Sequence, residues 1–197
     1  MLKKSEEKRR AILDATLDEF EANGFAAARI EDIAKRAGVA KGTVYNYFES
    51  KEALLMGLAG EFGDLMQAAL EEAARDTSGT VREHLEKVSH QLLAENGNGR
   101  LSRVLRVVWS EGLHRPELTR PIFEKFLLPK FAPEGVMTQL VRDENVPEVM
   151  RKYPFLLAAP ILQGIMWQTL IGQAAPLDLQ DVYKGYLDFV FAGQKGK

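Results

Sequence analysis

The chain has 197 residues, no cysteine and a formal net charge of −2, with 46% hydrophobic and 27% charged residues. This balance excludes a disordered chain, a disulfide framework, a thiolate metal site and a uniformly basic nucleic-acid binder. Any contact with a polyanion must therefore come from local clusters of cations.

Strand signals are scarce and apolar residues recur with helical spacing, which predicts an all-α fold of about nine helices. The first ten residues, MLKKSEEKRR, are too polar for a secretory signal, so a cytoplasmic location is expected. The first helix is predicted to start at Ser5, whose hydroxyl suits an N-cap, with Glu6 and Glu7 in its first turn. Leu13, Leu17 and Phe20 give it one buried stripe, and Asn23-Gly24 supplies the stop. Asp14, Asp18 and Glu21 form a separate acidic face at i, i+4, i+7. Two short helices follow, over about 30–37 and 41–48, with Gly38 between them. A long helix begins near Lys51, with Leu55, Leu58, Phe62, Leu65 and Ala69 as its stripe.

Gly57, Gly60 and Gly63 recur in that long helix at every third position, where glycine is disfavoured by about 1 kcal/mol each. They either admit a close neighbour or make the helix compliant; close packing is favoured. Loops at 76–79 and 95–99 flank a helix over about 81–94. Helices over about 101–113, 155–172 and 179–192 are also predicted, and 193–197 reads as a tail. The stretch 116–144 is helical but broken by Pro129 and Pro133. Residues 153–177 carry no charge and are long enough to span a bilayer. Pro160, Gln163, Gln168 and Thr169 interrupt the run, so a helix buried within protein is the expected explanation, with no membrane association.

Residues 30–48 read IEDIAKRAGVAKGTVYNYF. Ile33, Ala34, Ala37, Val39 and Val44 are the small apolar contacts that lock two short helices at a steep angle around Gly38, the recipe of a helix-turn-helix. Lys41, Thr43, Tyr45, Asn46 and Tyr47 put donors on the second helix, which suits phosphate oxygens and base edges.

From about residue 10 to residue 55 the chain resembles the TetR/AcrR family of bacterial regulators. Ile33-Ala34, Ala37-Gly38-Val39, Gly42-Thr43, Tyr45, Tyr47-Phe48 and Lys51-Glu52 fall in its register, and FEANGF resembles its usual end of helix one. The resemblance implies a three-helix DNA-binding domain over 1–52 and a larger helical ligand-binding and dimerisation domain over 53–197. It implies that Lys41 and Asn46 face the major groove, that Thr43, Tyr45 and Tyr47 contact phosphates, that Gly42 permits close backbone approach, and that Lys51 holds the DNA backbone. Ala40 and Arg29 depart from the family, which commonly has Ser or Thr before these helices; a lost capping hydroxyl costs about 1 kcal/mol.

Residues 1–10 carry Lys3, Lys4, Lys8, Arg9 and Arg10 against Glu6 and Glu7. Cations near a helix N-terminus oppose its dipole, which favours a phosphate-facing role over simple solvation. In the C-terminal part, WSEGLHRPEL and AAPILQGIMWQ resemble one AcrR-like subgroup, with His114 where that subgroup usually has arginine. The last two helices are apolar enough to pair with their copies, giving Leu162, Ile165, Val182, Tyr186, Phe189 and Val190 as candidate interface residues of a homodimer. Trp109, His114, Phe126, Met137, Gln163, Met166 and Trp167 are candidate lining for a small, largely apolar effector. No catalytic motif, metal-ligand set or cofactor fingerprint is present: Glu111 and His114 form a single E-x-x-H where a di-iron bundle needs two. The expected function is a repressor that binds a palindromic operator in double-stranded DNA and is released by the effector. The alternative is a DNA-binding dimer without an effector, or one controlled by a protein partner.

Overall fold

A computed structural model describes residues 2–93 and 99–192; the tail at 193–197 and nearly all of the loop at 95–99 lie outside the described residues. Among the described residues there is no strand. The helices are α1 (Leu2–Ala27), α2 (Ile30–Arg36), α3 (Lys41–Tyr47), α4 (Lys51–Arg75), α5 (Val81–Leu92), α6 (Arg100–His114), α7 (Pro116–Phe126), α8 (Leu128–Phe131), α9 (Val136–Leu140), α10 (Glu148–Lys152), α11 (Ala159–Ile171) and α12 (Leu179–Phe191). A 3-10 turn at Pro154–Ala158 leads into α11. The all-α architecture with an N-terminal helix-turn-helix is as expected, and the figure of about nine helices holds approximately. The surplus consists of the short α8, α9 and α10, set off by Pro129, Pro133 and Pro147, whose rings remove backbone donors and restrict the residues before them.

The chain forms two compact units, one from Met1–Phe62 with Arg103–Phe123, the other from Gly63–Ser102 with Glu124–Lys197. In the first, Ile12, Leu13, Leu17, Ile33, Val44, Leu54 and Leu58 are fully buried. Leu54 and Leu58 explain why the opening turns of α4 fold with the N-terminal unit, beyond residue 52. The α1 stop falls at Gly24, whose φ of 73° and ψ of 160° break the helical path before a last turn. Because α1 begins at Leu2, Ser5 lies within its first turns and is not the N-cap expected of it. A Cβ on Gly57 would come within 2.7 Å of the Phe48 ring and 3.1 Å of Leu13, so close packing explains this glycine.

The second unit is built on a core that includes Leu70, Leu85, Val141, Val146, Leu157, Tyr183 and Leu187. Gly63 packs as Gly57 does: a Cβ there would lie 2.8 Å from the Phe126 ring. The loop at 76–79 ends in Thr80, which caps α5 in a reciprocal box with Glu83, satisfying two donors at the helix start. Leu65, placed in the buried stripe of α4 by its spacing, is exposed.

Residues 154–171 depart from the expectation of complete burial. Only 22% of that apolar stretch is buried, and Leu162, Met166 and Leu170 form an exposed row at i, i+4, i+8 on α11. The stretch meets the length and composition of a membrane span. Its α-helical part, however, runs only from Ala159 to Ile171. At about 1.5 Å per residue that is about 20 Å, short of the ~30 Å hydrocarbon core.

Candidate nucleic-acid interface

The turn between α2 and α3 is closed by backbone alone. The Val39 amide donates to Ala34 O at 3.0 Å and the Gly38 amide to Lys35 O at 3.2 Å, the paired bonds of a Schellman motif. Gly38 takes the left-handed φ of 67° that this motif requires. Neither Arg29 nor Ala40 caps its helix through a side chain. The α3 start is held by Thr43 N donating to Ala40 O at 2.8 Å.

On α3, Val44 is fully buried and fixes which face points outward. Lys41, Gly42, Tyr45 and Asn46 are exposed, and Thr43 and Tyr47 are half-buried. A Cβ on Gly42 would meet nothing within 4 Å, so the helix presents bare backbone there. Lys41 is paired with Glu31 of α2, and its ammonium lies 5.9 Å from the Tyr45 ring centre. The shared hydrogen bond holds the Glu31 carboxyl below its ordinary range and raises the Lys41 ammonium. The Tyr47 hydroxyl lies 3.1 Å from Ser5 Oγ of α1.

Lys51 is arranged differently from the role that family resemblance implies. Its ammonium donates to the carbonyls of Phe25 at 2.8 Å, Ala26 at 3.0 Å and Ala28 at 3.0 Å. An ammonium has three N–H groups, and all three are engaged. It also lies 5.0 Å from the Phe25 ring centre. Lys51 thus ties the end of α1 to the start of α4, and no donor is left over for a DNA phosphate.

Other contacts of this unit were hidden by their distance along the chain. Arg103 of α6 bonds Asp18 at 2.6 Å and Glu21 at 2.7 Å through separate nitrogens, and Arg106 reaches Glu21 at 3.3 Å. Those carboxylates hold the Arg103 guanidinium above its ordinary pKa. Arg36 of α2 approaches Glu19 at 3.5 Å and Asp18 at 4.0 Å. The acidic face read from α1 therefore receives arginines from two other helices. Glu111 accepts the Phe25 amide at 3.1 Å and pairs with Arg115, fastening the chain just past the Gly24 break.

The candidate effector residues are divided between the two units. Trp109 and His114 belong to the first unit, where His114 is exposed with Nδ1 2.9 Å from Ser110 O. In the second, Met137 is 5% exposed within the core, Phe126 packs on Gly63, and Gln163 and Met166 are exposed. The Trp167 indole turns onto its own chain and donates to Ala175 O at 2.7 Å. A cleft of about 750 Å³ in this unit is lined instead by α4 and α5 and the turn after α4, among them Ala69, Glu72, Asp76, Lys87, Val88 and Gln91. None of the seven candidates lines it.

Of the candidate interface residues, Leu162 at 39%, Val182 at 38% and Phe189 at 80% are exposed. Ile165 is fully buried in its own unit and is unavailable to a partner. Tyr186 and Val190 are half-buried against the core, and the Tyr186 hydroxyl donates to Leu156 O at 3.0 Å. The exposed apolar face is better described by Leu162, Met166 and Leu170 with Val182 and Phe189.

Residues 12–57 match the family model of the bacterial regulatory proteins of the tetR family. The HTH-type transcriptional regulator BetI 1 of Chromohalobacter salexigens is 34% identical over 121 residues, 57% of this chain and 56% of that protein. RutR of Escherichia coli is 42% identical over 69 residues, 35% of this chain and 32% of its own. The chain thus spans from about a third to a little over half of the curated relatives it matches. The structure of FadR from Bacillus subtilis in complex with stearoyl-CoA aligns with a TM-score of 0.69 at 21% identity, covering 93% of this chain and 98% of that one. That of AibR in complex with isovaleryl coenzyme A and operator DNA aligns with a TM-score of 0.64 at 17% identity, with the same coverage. At these identities the structures share a fold.

Proposed function

We propose that this chain, whose residues 12–57 match the family model of the bacterial regulatory proteins of the tetR family, is a sequence-specific transcriptional regulator, a cytoplasmic homodimer that reads a palindromic operator. The observation that carries the reading is α3: Val44 faces inward, and Lys41, Gly42, Tyr45 and Asn46 stand exposed behind a turn rigidly closed at Gly38. In this reading Asn46 meets a base edge, since a carboxamide donates and accepts together. Thr43, Tyr45 and Tyr47 meet phosphates, and Lys41 exchanges Glu31 for the DNA. The exposed apolar rows on α11 and α12 support self-association, because two copies can cover each other's rows.

We further propose that the regulator is a repressor and that a small, largely apolar effector taken up by the helical second unit lowers its affinity for DNA. The acyl-CoA complexes of two similarly folded proteins support response to an effector that carries an apolar acyl group. A coupling of about 1–3 kcal/mol would weaken operator binding about 5- to 150-fold.

The test is fluorescence anisotropy with a palindromic duplex selected from a random pool. Wild-type protein binds the selected duplex more tightly than random duplex. Asn46→Ala narrows that preference by about 1–3 kcal/mol. Equal losses on both duplexes would remove Asn46 from base reading, and no preference in the wild type would end the regulator reading. Adding acyl-CoA esters of graded chain length to the same titration tests the effector; unchanged affinity throughout would reject that ligand class.

A further inference from the structure

The matched family segment begins at residue 12, yet the most densely basic stretch of α1 lies before it. Lys3, Lys4, Lys8 and Arg10 are exposed, and among the described residues none makes an ion pair. Three contacts hold this stretch in place. Ser5 Oγ lies 3.1 Å from the Tyr47 hydroxyl at the end of α3. The Arg9 guanidinium lies 5.6 Å from the Phe48 ring centre and 3.9 Å from Glu61. The first turns of α1 are thus fastened beside the recognition helix.

Helical spacing then sorts the charges. With 3.6 residues per turn, Lys4 and Lys8 stack at i, i+4 along one flank of Ser5, the residue that touches Tyr47. Lys3 and Arg10, at i, i+7, lie on the far side of the helix. Glu6 lies on the opposite flank, where Arg9 approaches it at 3.7 Å, and Glu7 lies at i+3 from Lys4, so the flank carries two lysines against one bordering carboxylate. Stacked like charges near a helix N-terminus are locally unfavourable both to each other and to the helix dipole. Bound anions would relieve both.

We infer that Lys4 and Lys8 form a second DNA-backbone site, which grips phosphates flanking the stretch read by α3. The inference rests on the DNA-binding reading above. The site is sequence-independent, because an ammonium on a flexible stem neutralises phosphate charge without reading a base edge. The Ser5–Tyr47 contact sets its register relative to the recognition helix.

The experiment is operator and random-duplex titration over a range of salt concentrations, with full-length wild type, Lys4→Gln/Lys8→Gln and Lys3→Gln/Arg10→Gln. All four side chains are exposed, so both variants should melt as the wild type does. The slope of log K against log[salt] should become shallower by about 0.9 for each of Lys4 and Lys8 on each bound protomer. Affinity for operator and random duplex should fall by the same factor, and Lys3→Gln/Arg10→Gln should keep the wild-type slope. A wild-type slope in Lys4→Gln/Lys8→Gln overturns this inference alone. Equal loss in both pairs also overturns it, since net charge and not the Ser5 flank would then be responsible. A wild-type protein that binds no duplex overturns the DNA-binding reading and this inference together.

Discussion

Replacing Lys51 by Met keeps most of the aliphatic stem and deletes the ammonium. Three carbonyls at the end of α1, of Phe25, Ala26 and Ala28, then lose their donor, at 2.8, 3.0 and 3.0 Å. A hydrogen bond to a charged group contributes about 1.5–3 kcal/mol in favourable cases. The three here share one cation and are partly open to water, which can replace some of what is lost. A net destabilisation of about 2–3 kcal/mol is therefore expected, toward the value for one well-made charged bond and not three. For a chain of this length it corresponds to a fall in melting temperature of about 4–12 °C. Urea denaturation gives the free energy, and operator titration over a range of salt concentrations gives the ionic slope. The expected result is a lower urea midpoint with the salt slope of the wild type. If stability is unchanged and the slope instead falls by about 0.9 per protomer, Lys51 holds a phosphate and the capping argument is wrong.

Gly38→Ala places a Cβ on a residue at φ 67°, where an L-residue costs about 1–2 kcal/mol. Denaturation should show a loss of that size, and an unchanged midpoint would mean the turn relaxes to another closure. Phe189→Glu puts a charge on the most exposed aromatic of α12, at 80% exposure, and should dissociate the proposed dimer while leaving each subunit folded. Sedimentation equilibrium with circular dichroism checks both halves of that statement; a variant that stays dimeric would move the interface elsewhere.

What the sequence made legible was local. The helix-turn-helix was readable because its determinants, from Ile33 to Val44, lie within a dozen residues and one of them is a glycine that must be left-handed. The break at Gly24 and the interruptions near Pro129 and Pro133 were readable for the same reason. The acidic row on α1 was also seen, but Arg103 and Arg106 lie more than eighty positions away, and spacing carries no information about such a pairing. Lys51 was read through the family resemblance, whereas its partners are carbonyls some twenty-five residues earlier. On α11 the difficulty was different. A helix apolar on every side has no periodicity to reveal its inner face, so Leu162 and Ile165 looked alike although one is 39% exposed and the other fully buried. The effector candidates were chosen by residue type, and aromatics and methionines fill cores at least as readily as they line cavities.

Under the DNA-binding reading, the arginines over the α1 acids also bear on how fast the protein finds DNA. Asp18, Glu19 and Glu21 would otherwise present negative charge on the unit that must approach a polyanion. Arg36, Arg103 and Arg106 neutralise them in place. At physiological ionic strength a field persists for only about 8 Å, so an approaching duplex responds to nearby charges and not to the net −2 of the whole chain. With Asp18, Glu19 and Glu21 compensated, the exposed cations of residues 3–10 and of α3 stand out at that range, and a local field of this kind favours encounter with a polyanion. Under the DNA-binding reading, the association rate depends on Arg36, Arg103 and Arg106 through the acids they compensate.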